Sequence, residues 1–199
     1  FVSIPMDDWK ADAPTRRARR LHRQPHVDPL GLTAAAEKLR LARNPLLIVG
    51  AGVDRAGAWE EAVALAERMQ APVWEAPAPE RASFPQDHPL FQGALPLALK
   101  PVAERLAGHD VVLLVGAAAF RYYPHVPGPV LPEGTELIHI TDDPAEAARA
   151  PVGTALVGEI KSALAALSEA IPAVERIAPS PRAQRTHHAA AKPIQPGYV

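Results

Sequence analysis

Two short runs constrain this chain more than anything else in it: Leu46-Leu47-Ile48-Val49 before Gly50, and Val111-Val112-Leu113-Leu114-Val115 before Gly116. Each is apolar at every position, so a strand formed from it must be buried on both faces, which is the habit of parallel strands covered by helices. Around these runs the apolar spacing changes to that of a helix. Thr33 can cap a helix with Ala36, Leu39 and Ala42 or Arg43 on one face, ending before Asn44-Pro45. Ala58, Ala62, Leu65, Ala66 and Met69 keep the helical period while Glu60, Glu61, Glu67 and Arg68 point to water. A strand at Ala71 to Glu75, a proline-rich loop, a helix around Val102 to Leu106, and the strand Asp110 to Gly116 come next. The pattern closes with a strand at Glu136 to Thr141, a short helix at Pro144 to Arg149, a strand at Thr154 to Val157, and a helix at Glu159 to Ala170. Strands and helices alternating at this spacing predict a Rossmann-like α/β fold, a mostly parallel sheet with helices on both faces.

The ends carry no such pattern. Phe1-Val2-Ser3-Ile4-Pro5 alternates like the last strand of something that began earlier, and residues 1–30 read as the end of a preceding domain and a linker. The cluster Arg16, Arg17, Arg19, Arg20 and Arg23 suits a solvated connector or a binding patch. His22 and His26 stand at the spacing of two metal ligands on a helix, but Pro25 between them opposes that helix. Residues 31–171 form the expected domain, and residues 172–199, with Pro179, Pro181, Pro193, Pro196 and the pair His187-His188, read as a linker or tail.

Composition removes several functions. The chain has no cysteine, which excludes disulfides, iron–sulfur clusters, thiolate zinc sites and a cysteine nucleophile. Lys and Arg number 21 against 22 Asp and Glu, a formal net charge of -1 that offers no field for nucleic acid or an anionic membrane. No apolar stretch approaches the roughly 20 residues of a membrane span, and no signal segment opens the chain, so a cytoplasmic location is expected. G-x-S-x-G, G-x-x-x-x-G-K and H-E-x-x-H are all missing from the sequence.

In a doubly wound sheet, ligands sit beyond the carboxyl ends of the strands, so the loops there hold the candidates. Gly50-Ala51-Gly52-Val53-Asp54-Arg55 invites a nucleotide, with Glu75 as a ribose-binding acid, yet Arg55 stands where the dinucleotide fingerprint needs its third glycine. A tight structural turn is the other reading. Asp87-His88-Pro89 is either a proton-transfer pair or a turn device. Phe120-Arg121-Tyr122-Tyr123-Pro124-His125 gathers rings and a base at the same edge, to meet a substrate or to pack on a neighbour.

Several spaced segments are familiar in combination. Ala71-Pro72-Val73-Trp74, Phe84-Pro85 with His88-Pro89, Phe91 and Gly93, Gly108-His109-Asp110-Val111, Phe120-Arg121-Tyr122, and Asp143-Pro144 with Glu146-Ala147-Ala148-Arg149-Ala150-Pro151 resemble the central domain of thiamine diphosphate-dependent decarboxylases, in the benzoylformate decarboxylase branch. Ser3-Ile4-Pro5 with Asp7-Asp8-Trp9 is similar to that family's junction between its first two domains. The resemblance implies a carbon–carbon lyase as the parent enzyme, with thiamine diphosphate and Mg2+ bound outside this segment, no cofactor in the segment itself, and no activity for the segment alone. It also implies the amino- and carboxyl-terminal domains of the same enzyme as partners, in a homo-oligomer. The Gly-Asp-Gly motif that holds the metal and diphosphate in the family occurs nowhere in this chain.

One position departs from the branch. A proton-transferring histidine follows Phe-Arg-Tyr there, whereas here Tyr123 follows, with His125 two residues on. The resemblance therefore marks Tyr123 and His125 as the catalytic candidates. Tyr123 acts as a hydrogen-bond donor, or His125 substitutes, or the substrate differs. The alternative reading is a flavin- or nucleotide-binding module of a related enzyme such as acetolactate synthase, using Gly50, Gly52 and Glu75.

Overall fold

The computed structural model describes residues 3–12, 14, 15, 17, 25–120, 124–177, 179, 180 and 182. Asp28 caps α1 (Pro29–Leu41) by accepting the Gly31 N–H at 2.8 Å, and Pro29 supplies a first helical residue that needs no hydrogen-bond partner. Thr33, the expected cap, lies inside the helix and donates its hydroxyl to the Pro29 carbonyl. Ala35, Ala36 and Leu39 face the core. Next come β1 (Leu46–Val49), the single-turn α2 (Ala51–Arg55), α3 (Trp59–Met69) and β2 (Val73–Glu75). The proline-rich loop then yields an unforeseen strand, β3 (Phe91–Ala94), before α4 (Leu99–Leu106) and β4 (Val111–Val115). The chain continues through β5 (Glu136–Thr141), α5 (Pro144–Arg149), β6 (Thr154–Val157) and α6 (Ile160–Ala170).

All six strands run parallel in the order β3-β2-β1-β4-β5-β6. This is a doubly wound α/β sheet whose direction of winding reverses between β1 and β4. The pleat divides the apolar runs between two cores. Leu47, Val49, Val73, Leu113, Val115, Ile138 and Ile140 pack under α1, α3 and α6, together with Leu65, Met69, Leu164 and Leu167. Leu46, Ile48, Val112, Leu114 and Leu137 form a smaller core with Val102 and Leu106 of α4. Both central strands are buried at every residue, as their sequence demands.

Loops are pinned where the chain must turn sharply. The Asp110 carboxylate accepts the Arg43 and Asn44 amides at 2.6 and 3.0 Å, tying the end of α1 to the start of β4. Pro25 accepts the Glu159 amide at 2.9 Å, so the chain enters the fold beside the carboxyl end of β6. Beyond α6 the described residues are gripped at the opposite edge of the sheet. Arg176 donates to the carbonyls of Met69 and Ala42 at 2.6 and 2.7 Å, Val174 N–H donates to Arg68, and the Arg182 guanidinium lies 5.6 Å from the Phe91 ring centre. At the other terminus, Ser3–Pro5 lie outside any strand, Met6–Lys10 form an exposed 3-10 turn, and Phe1 and Val2 are outside the described residues. No described helix is long and apolar enough to cross a membrane.

Candidate functional site

The carboxyl ends of β1 and β4 define the expected crevice, and backbone fills most of it. Gly50 N–H donates to Val115 and Gly52 N–H to Gly116, at 3.0 and 2.8 Å. A Cβ on Gly50 would lie 2.2 Å from the Ala117 Cβ, and one on Gly52 would lie 2.6 Å from the Gly116 Cα. The glycines thus let two loops touch. The remaining hollow, between Gly50, Arg55, Pro77, Gly116 and Glu146, holds about 120 Å3, below the ~300 Å3 at which ligand pockets begin. Glu75 is buried and spends its carboxylate on the Ser83 amide at 2.9 Å. Gly50, Gly52 and Glu75 therefore come together as structure rather than as a nucleotide cradle, and the flavin or nucleotide reading is not favoured.

The pair Asp87-His88 divides in the same way. His88 accepts the Leu90 amide at Nδ1 and meets a Glu67 carboxylate oxygen at 3.2 Å through Nε2, with its ring edge-on to Phe84 at 5.2 Å. Both ring nitrogens are engaged in holding the turn into β3. Asp87 is exposed. Of the residues singled out after β4, Phe120 is half-buried and His125 is exposed, while Arg121, Tyr122 and Tyr123 lie outside the described residues. His22, His187 and His188 also lie outside them.

Sequence reasoning passed over one group. His139 lies in β5 between Ile138 and Ile140 and is 1% exposed, with both ring nitrogens lacking a hydrogen-bond partner. Glu146 of α5 reaches to 3.8 Å of its Nε2 and accepts the Thr141 hydroxyl at 2.6 Å. Burial pushes the imidazole below its ordinary pKa, against the pull of the Glu146 charge and the Ala117 backbone, which favours the neutral ring. His109 is lowered by burial too, but its Nδ1 meets the Asn44 carbonyl at 3.0 Å. The available signal was a lone imidazole between two isoleucines in a strand.

The diphosphate-and-metal chemistry that the resemblance implies finds no holder among the described residues. Gly-Asp-Gly is missing from the sequence, and the described residues contain no group of three His, Asp or Glu placed to ligate an ion. The described residues do not fit the cofactor.

The model of the thiamine pyrophosphate enzyme central domain matches residues 32–167. The benzoylformate decarboxylase of Pseudomonas aeruginosa is 45% identical over 175 residues, covering 86% of this chain and 33% of that protein. The crystal structure of benzoylformate decarboxylase from Polynucleobacter necessarius superposes with a TM-score of 0.88 at 38% identity, over 98% of this chain and 37% of that one. The thiamine diphosphate-dependent 4-hydroxybenzoylformate decarboxylase of Rhodococcus jostii gives a TM-score of 0.83 at 41% identity, over 94% of this chain and 36% of that one. The chain thus spans about a third of the length of these relatives.

Proposed function

The chain belongs to the thiamine pyrophosphate enzyme family as its central domain, and from that premise we propose that it serves a cytoplasmic decarboxylase of benzoylformate or a closely similar aromatic 2-oxo acid. The observation that carries the proposal is the likeness to benzoylformate decarboxylases along almost the whole chain, in both sequence and fold. In this reading thiamine diphosphate and Mg2+ are held by the other two domains, supplying the electron sink for the carbanion left by carbon dioxide. The central domain joins those domains, shapes the substrate entrance and contributes to a homo-oligomer.

The loop after β4 is its contribution to the chemistry. Tyr123 takes the position of the branch's histidine, and its phenol donates a hydrogen bond but yields its proton at neutral pH far less readily than an imidazole. His125 is the nearby base.

The full-length enzyme, assayed for carbon dioxide release, should prefer benzoylformate over pyruvate by at least about a hundredfold in kcat/KM, nearly 3 kcal/mol of transition-state discrimination. Equal use of pyruvate would refute the substrate class. Tyr123→Phe, which deletes only the hydroxyl, should lower kcat about tenfold, on the order of 1.4 kcal/mol. His125→Ala should do less. A reversed order would move the proton-transfer role to His125, and unchanged kcat and KM in both variants would leave the rings as packing.

A further inference from the structure

His139, at the floor of the cavity beneath α5, has no part in any role described so far. Leu114, Ala118, Ala119, Phe120, Ala150 and Pro151 wall a space of about 360 Å3, which Arg149 also lines. An apolar cavity of about 150 Å3 already accepts benzene, and this one lies within the range of small-molecule sites. Its walls are apolar, but its floor is not. His139 lies there, and neither of its nitrogens makes a well-formed hydrogen bond, although the Ala117 backbone and Glu146, 3.8 Å from Nε2, both draw on the ring. A buried polar group left in that condition is costly, and native structures leave few of them.

The chemistry of the floor selects among ligands. A neutral imidazole offers one N–H donor and one lone pair. Glu146 stands beside it, held by the Thr141 hydroxyl, so a carboxylate placed against the imidazole would face a like charge. A bare hydrocarbon would fill the walls and leave the ring unpartnered. A hydroxyl both gives and accepts a hydrogen bond and carries no charge. We propose that this cavity is a binding site for a small neutral aromatic molecule bearing a hydroxyl, its ring lying among Phe120, Ala150 and Pro151 and its oxygen on the His139 imidazole. The proposal uses neither Tyr123 nor His125, so it stands or falls apart from the decarboxylase reading.

Phenol is the probe, titrated into the 199-residue chain with the imidazole nitrogens of His139 followed by NMR. Saturable movement of those signals at millimolar phenol is expected, and toluene, which keeps the ring without the hydroxyl, should bind about tenfold more weakly, ~1.4 kcal/mol. His139→Phe should abolish binding. Ala150→Trp, which fills the cavity and leaves the imidazole in place, should abolish it as well. No movement of the His139 signals, equal binding of toluene and phenol, or undiminished binding by either folded variant would overturn the proposal. If both variants unfold, the comparison of phenol with toluene on the unaltered chain decides it.

Discussion

A methyl group added at Gly50 would lie 2.2 Å from the Ala117 Cβ and 3.0 Å from the Gly116 carbonyl oxygen, in a place where two backbones already touch. Gly50→Ala should therefore lower stability by about 1–3 kcal/mol, the usual cost of overpacking. Urea unfolding measures this, and Ala117→Gly in the same chain should restore part of the loss because it removes the nearest atom. No recovery would place the strain elsewhere. Asp110 makes a second prediction, in which pH is the variable. Burial raises its carboxyl pKa, but the amides of Arg43 and Asn44 and the local backbone outweigh this, and the folded value lies below the ordinary one. A depressed folded pKa contributes stability above the unfolded value of about 3.9, and that contribution is lost as pH falls through the folded value. Asp110→Asn should cost about 1–2 kcal/mol at pH 7, and the gap to the unaltered chain should shrink as pH drops below 4. A gap that stays constant with pH would show that the charge is not what matters.

Arg176 works between elements. The last carbonyls of a helix have no partner within it, and this guanidinium serves Met69 at the end of α3 and Ala42 at the end of α1 together. Arg176→Met, which keeps the stem and loses the donors, should cost about 1–3 kcal/mol in thermal or urea unfolding. Lysine should restore little, because a single ammonium lacks the planar fork that spans both carbonyls; full rescue by lysine would mean that charge alone suffices. This contact also marks where sequence reading gives out. A strand apolar on both faces, or a helix with a regular stripe, announces itself through period, and nearly every element of the sheet was legible for that reason. β3 was not, since Phe91-Gln92-Gly93-Ala94 is short, contains a glycine at φ +108° and lies at the sheet edge with one side unpaired. Arg176 lies in an aperiodic stretch, and its partners are backbone carbonyls more than a hundred residues away. His139 was hidden by the strand around it, because a strand pattern reveals which face a residue takes but not whether a polar group there finds a partner.

Two cores on one sheet should unfold as one. The larger lies under α1, α3 and α6 and the smaller under α4, and they share β1 and β4 between them. Circular dichroism should record a single cooperative thermal transition for the chain alone, with the amides of Val111 to Val115 among the slowest to exchange and those of β6, exposed at three of its four residues, among the fastest. A broad melt, or exchange at Val112 within seconds, would show that the fold depends on neighbouring domains.

The ends of this domain also fix a distance. The chain arrives beside β6, where Pro25 accepts the Glu159 amide, and departs past β3, where Arg182 covers Phe91, on opposite lateral margins of the sheet. Five inter-strand gaps at about 4.8 Å separate those margins by roughly 24 Å. Whatever lies on either side is held apart by the stiff width of the sheet, and a replacement tether would need about seven or eight fully extended residues just to reach.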